Sequence, residues 1–343
     1  MSGVRVFKCP SCGNNLEFSP GQGHLVCPFC SCMVQIPEDD NTRTSAREAA
    51  ESGGSFRGYH CQNCGAEIVT GDTTAATRCY FCHSPVVLSD RLEQDYRPDG
   101  VIPFRLDRKA AEERFVSYLR RKKFLDRRFL TEDQRESITG VYYPYWIGHL
   151  QGEAVFSGEG TRVSSHSTSR EAIQETRYYR VEREGVLDFR FMQRKALKST
   201  DRKLSDGIHP YTLSEMEFFR PEYLSGFQAE KRDIGQADAE ADMVREAEGY
   251  APGLMEAGTT FSSLRGKTRF HLTNSGMRYV LLPSWVLTYR GHRIEEPFHY
   301  MMNGQTGTVC GKLPVDKKKL AFFSLILGAL VAGLLCLGGV YLW

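Results

Sequence analysis

Cys9-x2-Cys12 is followed after fourteen residues by Cys27-x2-Cys30, and Cys61-x2-Cys64 after fourteen residues by Cys79-x2-Cys82. The second set repeats the first with an offset of 52, and the match extends to the flanks: Gly13 with Gly65, Leu16 with Ile68, Phe29 with Phe81, Val34 with Val86. This is the signature of a duplicated module. Two residues between cysteines make a tight knuckle, so two thiolates point at one ion and nearby backbone N–H groups support them. Two knuckles supply four sulfurs in a tetrahedron, which leaves no open coordination position. Each site is therefore expected to be structural. About 30 residues cannot bury a sufficient core, so the metal supplies the missing folding energy. The ligands are expected to be Cys9, Cys12, Cys27 and Cys30 for one Zn2+, and Cys61, Cys64, Cys79 and Cys82 for a second, with iron as the competing metal. Cys32 aligns with Ser84 and falls outside the pattern. His24, His60 and His83 flank knuckles that are complete without them.

The other end of the chain is equally distinctive. Leu320 to Trp343 contains no charged residue, and Lys317, Lys318 and Lys319 precede it. As a helix it would rise about 36 Å, against about 30 Å of hydrocarbon. The expectation is a single transmembrane tail anchor over 316–343, with Tyr341 and Trp343 at the interface and the N-terminal bulk in the cytoplasm. The first residues show no apolar segment of a signal peptide. Reduced, metal-binding cysteines fit that compartment.

Pro37 to Gly58 is polar and rich in small residues, which reads as a flexible linker with a short helix around Ala46–Glu51. The two ribbons then need share no fixed orientation and should fold separately. In the middle, Asp107 is a plausible N-cap for a helix carrying Ala111, Phe115, Tyr118 and Leu119 on one face. The basic run from Arg120 to Arg128 reads first as a solvated helix end, with a patch for anionic lipid as the sharper alternative and a nucleic-acid patch third. Val141-x-x-Pro144-x-Trp146 and Val280-x-x-Pro283-x-Trp285 read as strands and match at an offset of 139, a sign of internal duplication. Tyr178–Arg183, Val186–Met192 and Phe298–Met302 read as further strands. Asn303 to Gly307 reads as a hairpin turn. Ser214–Lys231 and Gln236–Ala251 read as helices. Strands and helices mix without βαβ alternation, so the expected class is α+β.

Composition removes other functions. With 44 Lys+Arg against 42 Asp+Glu, the chain is not one that coats nucleic acid along its length. Arg265-Gly266-Lys267-Thr268 resembles the end of a phosphate loop, but Phe261 stands where its first glycine is needed. H-E-x-x-H and G-x-S-x-G are absent. No catalytic set is expected, and the chain reads as a non-enzyme.

Beyond the ribbons, Val101-Ile-Pro-Phe104, Gly140 to Trp146, Leu224 to Glu230, Tyr279 to Trp285, Met302 to Gly307 and the Lys-rich entry to the tail form a pattern. It resembles the bacterial TFIIB-type zinc-ribbon membrane proteins, often labelled primosomal-helicase-like. The resemblance implies a role in placing PspA-type and SPFH-domain membrane-stress proteins.

The organisation expected is zinc ribbon 1 (1–36), linker (37–58), zinc ribbon 2 (59–88), an α+β domain (89–315) and the transmembrane tail (316–343). The expected function is a non-enzymatic, tail-anchored adaptor that binds proteins, held to membrane lipid by its C-terminal helix. The alternative is nucleic-acid binding through the ribbons, for which Lys8, Arg57 and Arg78 are the nearby cations.

Overall fold

A computed structural model gives the fold. It describes residues 4–36, 57–64, 67–70, 73–79, 82–92, 96–122, 124, 138–167, 171–198, 202–289, 298–311 and 317–341. The linker helix expected around Ala46–Glu51 lies outside these.

The first ribbon carries β1 (Val4–Arg5), β2 (Glu17–Ser19), β3 (His24–Val26) and β4 (Met33–Val34); the second carries β5 (Arg57–His60), β6 (Glu67–Thr70), β7 (Thr74–Arg78) and β8 (Pro85–Leu88). Then follow β9 (Gly100–Val101), α1 (Arg108–Arg120), β10 (Thr139–Ser167), β11 (Ala172–Lys195), α2 (Arg202–Asp206), β12 (Glu217–Phe218) and β13 (Gln228–Glu230). The chain continues with α3 (Gln236–Glu256), β14 (Ser263–Tyr289), β15 (Phe298–Asn303), β16 (Val309–Gly311) and α4 (Lys317–Tyr341). Asp107 caps α1 as expected, its Oδ1 accepting from Ala110 N–H at 2.7 Å. The hairpin at Asn303 also forms, with Asn303 Oδ1 accepting from the N–H groups of Gln305 and Thr306, each at 2.9 Å.

The α+β expectation is corrected: the fold is mostly β, with 45% of the described residues in strands and 25% in helices. The reason lies in three very long strands. β10 has 29 residues, β11 24 and β14 27. At about 3.3 Å per residue, β10 alone spans about 95 Å. The segments read as two strands over Tyr178–Met192 are one. The helix read over Ser214–Lys231 is instead β12, a short 3-10 turn at Pro221–Leu224, and β13. Pro221 lacks an N–H, and Gly226 sits at φ 91°, so a continuous helix cannot form there.

The membrane-anchor expectation is also corrected. Among the described residues, no helix is long and apolar enough to cross a membrane. The single-pass localisation falls with it.

One sheet organises the chain. Its strand order is β1-β8-β7-β13-β10-β14-β15-β16, with β11 on β10, β9 on β14 and β12 on β9. The two Val-x-x-Pro-x-Trp segments pair with each other antiparallel. Tyr143 faces Leu282, its own counterpart at the offset of 139, so an approximate two-fold axis passes between them. Other contacts obey the axis. Val141 and Tyr142 pair with Gln228 and Ala229 of β13; Val280 and Leu281 pair with Gly100 and Val101 of β9. Ala196 N–H donates to Pro144 O at 2.9 Å, and Gly304 N–H to Pro283 O at 2.8 Å. Trp146 Nε1–H donates to Ile234 O at 3.1 Å, and Trp285 Nε1–H to Leu106 O at 3.2 Å. Each half is a short strand, a helix, a long strand and a return strand. Each short strand pairs with the other half's long strand, so neither half closes its sheet alone.

The base of the sheet is buried on both faces. One face packs Trp146, Tyr279, Tyr142 and Phe104 against α1, α3 and ribbon 1; the other packs Tyr145, Val280 and Leu282 against Ile208 and Tyr211. Beyond the base, β11, β10 and β14 project as a three-stranded arm. Helix α3 covers one face of it with a stripe of Ala239, Met243, Ala247, Ala251 and Met255, spaced by four residues. Gly158 and Gly266 face each other on this arm, and a Cβ on Gly266 would meet the Phe156 ring, so the glycine makes room for an aromatic lid.

Candidate metal centres

The structure brings all eight sequence-designated cysteines into two groups, Cys9, Cys12, Cys27 and Cys30, and Cys61, Cys64, Cys79 and Cys82. Within each, the sulfurs lie within 4.8 Å of one another. Cys9–Cys30 and Cys12–Cys27 are each 3.6 Å apart, Cys61–Cys82 3.7 Å and Cys64–Cys79 3.8 Å. A tetrahedron with metal–sulfur bonds of about 2.3 Å has edges of about 3.8 Å. A disulfide requires about 2.05 Å. The spacing is therefore that of thiolates around a shared ion, and each group can hold one metal.

The knuckles explain why these short segments fold. In the first, Cys9 N–H donates to Asn14 O and Gly13 N–H to Cys9 O; Cys27 with Cys32 and Ser31, and Cys79 with Ser84 and His83, repeat both bonds. The residue four after each of these cysteines closes the turn in the left-handed region: Gly13 at φ 72°, Ser31 at 58° and His83 at 55°. His83, which flanks a knuckle complete without it, has this backbone role. Cys9, Cys27, Cys61 and Cys79 are buried; Cys12, Cys30 and Cys64 are exposed. Burial raises the Cys9 thiol, but hydrogen bonds from the backbone N–H groups of Cys12 and Ser11 bring it down to about 6. At Cys82 burial again works upward, while Ser84 and Asn63 work downward and hold the thiol at about 5. Cys27 is lowered as well, chiefly by the Cys30 backbone N–H. Cys12 and Cys30 move the other way: backbone hydrogen bonds to each are outweighed by burial and the neighbouring sulfurs, and Cys30 is pushed up to about 12. The lowered thiols favour the thiolate that a metal needs.

Cys32 stays outside the first group, accepting from Ser11 Oγ–H at 3.3 Å. Cys310 lies far off on β16. The side chain of Cys336, and all of Gly65 and Phe81, lie outside the described residues.

The expectation that the ribbons sit independently is corrected. β1 of the first ribbon pairs with β8 of the second. Lys8 Nζ donates to Asn63 Oδ1 at 2.5 Å and to Asn15 Oδ1 at 2.8 Å, and Asn15 Nδ2–H donates to Ser84 Oγ at 2.7 Å. Ribbon 1 then docks on the central domain. The Phe18 ring meets Tyr223 at 5.2 Å, its N–H donates to Ser225 O at 2.9 Å, and Ser225 Oγ–H donates to Leu16 O at 2.7 Å. Ribbon 2 goes further, because β7 is a strand of the central sheet, with Ala76 opposite Ala229. Arg78 pairs with Glu17 at 3.0 Å and donates to Gly226 O at 3.1 Å, joining both ribbons to the domain.

Sequence reasoning missed the charged seam beneath ribbon 2. Arg91, Lys195 and Arg232 are all buried. Arg91 Nε–H donates to Tyr59 Oη at 2.7 Å and its guanidinium also donates to Thr74 O at 2.8 Å. Arg232 lies over the rings of Tyr96, Trp146 and Tyr279, at 5.1, 5.2 and 5.8 Å. Burial raises the Glu230 carboxyl, against the pull of Thr73 and Arg91. The approximate two-fold exposes the contrast. Where this half has Arg232 and Asp99, the other has Phe104 and Phe227, stacked at 4.2 Å. The backbone thus accepts hydrocarbon at this place, and the charged version stands in the half that receives ribbon 2. Only the repeated tryptophan motif could have pointed to it.

Fold and centres together define a β-sheet protein stapled by two four-thiolate modules. The chain belongs to the family of the uncharacterized protein YdjG of Bacillus subtilis (strain 168): it is 32% identical to that protein over 326 residues, which cover 94% of each chain. No family model matches the chain, and no solved structure matches it.

Proposed function

We propose that the chain is a non-enzymatic adaptor whose two structural zinc ions hold a β scaffold for binding other proteins. Zinc is favoured because four closed thiolates suit a tetrahedral ion that needs no open position. The observation that carries the reading is the seam: both metal modules are built into the sheet from which the long arm projects. The metals therefore brace a frame that presents surface. Of Lys8, Arg57 and Arg78, the cations nearest the knuckles, Lys8 and Arg78 are committed to contacts between ribbons and domain. That weighs against nucleic acid as the ligand of the ribbons.

The test is a crosslinking pull-down with the metal-loaded full chain, with metal content measured in parallel. Zinc at two per chain, and capture of a PspA-type or SPFH-domain protein that is lost with a chelator, are the expected results. Iron in the sites would overturn the metal assignment. Absence of any metal-dependent protein partner would overturn the adaptor.

A further inference from the structure

Along the arm, β14 has β10 on one side only. Its other side meets β9 at Val280 and Leu281 and β15 from Ser284 onward. From Ser263 to Met277 that edge has no strand partner among the described residues, which leaves a row of backbone donors and acceptors open.

The side chains on this stretch alternate. Leu264, Gly266, Thr268 and Phe270 face the α3 side. Arg265, Lys267, Arg269 and His271 are exposed on the opposite face. Arg265, Lys267 and Arg269 make no salt bridge among the described residues. They recur at every second residue, about 6.7 Å apart. Across the same face the charge changes sign. Glu153 and Glu159 lie on β10, and Glu182, Glu184 and Asp188 on β11, where the cations Arg180 and Arg190 are paired with Glu182 and Asp188. The cations without a salt bridge among the described residues are therefore concentrated on the strand with the open edge.

We propose that the open edge of β14 from Ser263 to Met277 accepts an extended acidic segment of a partner protein as an added strand. This deepens, and rests on, the adaptor reading above. Backbone bonds to the edge would supply affinity, and acidic side chains at alternate positions would meet Arg265, Lys267 and Arg269. The geometry separates this occupant from a duplex nucleic acid. An added strand lies about 4.8 Å outside β14, on the side away from the carboxylates of β10 and β11. A duplex laid on the face would cover those carboxylates and be repelled by them.

The experiment uses the metal-loaded full chain and a fluorescent peptide alternating Glu and Thr, with a peptide alternating Lys and Thr and a short DNA duplex as comparisons. The acidic peptide should bind, with affinity falling as salt rises. Arg265→Glu/Lys267→Glu/Arg269→Glu should weaken it by at least about tenfold. Hydrogen exchange should slow on binding at backbone amides within 263–277. A milder variant, Arg265→Gln/Lys267→Gln/Arg269→Gln, guards against misfolding and should show a smaller loss in the same direction. Four results overturn the proposal: no peptide binding; binding unaffected by either variant; tighter binding of DNA through the same three residues; or self-association of the glutamate variant without peptide binding by the parent, which would make the cations a guard on the edge. If the peptide fails while the pull-down still captures its partner, this inference falls and the adaptor stands.

Discussion

A single histidine sets one limit on this fold. The ring of His209 packs against Tyr145 and Tyr211 at 5.5 and 5.4 Å, and its buried Nδ1 has no hydrogen-bond partner among the described residues. Burial disfavours the imidazolium and lowers the pKa from 6.5, while Asp206 pulls the other way. On acidification the unfolded chain therefore takes up this proton first. The contribution of the neutral ring is complete above about pH 6.5 and is lost as pH falls from there through the folded value. His209→Phe keeps the aromatic packing and removes the titration. Thermal melts of parent and variant should diverge in the variant's favour between about pH 7.5 and 5.5. Metal release at low pH affects both proteins and cancels in the difference. A difference that stays constant with pH would show that His209 is protonated equally in both states.

At the scale of elements, the two tryptophans test the equivalence of the halves. Trp146→Phe and Trp285→Phe each remove an indole N–H and leave a carbonyl, Ile234 O or Leu106 O, without its donor. Each should cost about 1–3 kcal/mol in denaturant unfolding. A neutral result at one of them would break the equivalence. The sequence carried the repeated motif, the Asp107 cap and the Asn303 turn, because each is written in neighbouring residues. It did not carry the pairing of the two motifs, since that register depends on residues 139 apart in the chain. The same physics misled the reading of Ser214–Lys231. Phe219, Tyr223, Leu224 and Phe227 are buried, and their spacing resembles one face of a helix. They are buried because the segment wedges between ribbon 1 and the sheet, a contact no local pattern announces. The metal ligands were legible for the opposite reason, as both knuckles of each site are short-range. The seam that couples those sites to the sheet was not.

For the whole molecule, that seam makes metal binding a property of the entire sheet. Were the ribbons independent, Cys61→Ser would unfold residues 57–88 and leave the rest untouched. Here Ala76 of β7 lies opposite Ala229 of β13, whose other neighbour is Tyr142 of β10. On the far side, β8 holds β1 of the first ribbon. Structural zinc contributes on the order of 10 kcal/mol in small ribbon-like peptides, so its loss is enough to melt ribbon 2. The melt strips β13 of one partner and β1 of its only strand partner among the described residues. Cys61→Ser should therefore speed hydrogen exchange at β13, at Val141 and Tyr142, and at Val4 and Arg5, and lower the melting temperature of the whole chain. Cys9→Ser should act at a different place, loosening Ser225 and Tyr223 where Phe18 docks, while β7 keeps its pairing with β13. Exchange confined to the mutated ribbon in both variants would mean that the sheet holds without its metal staples.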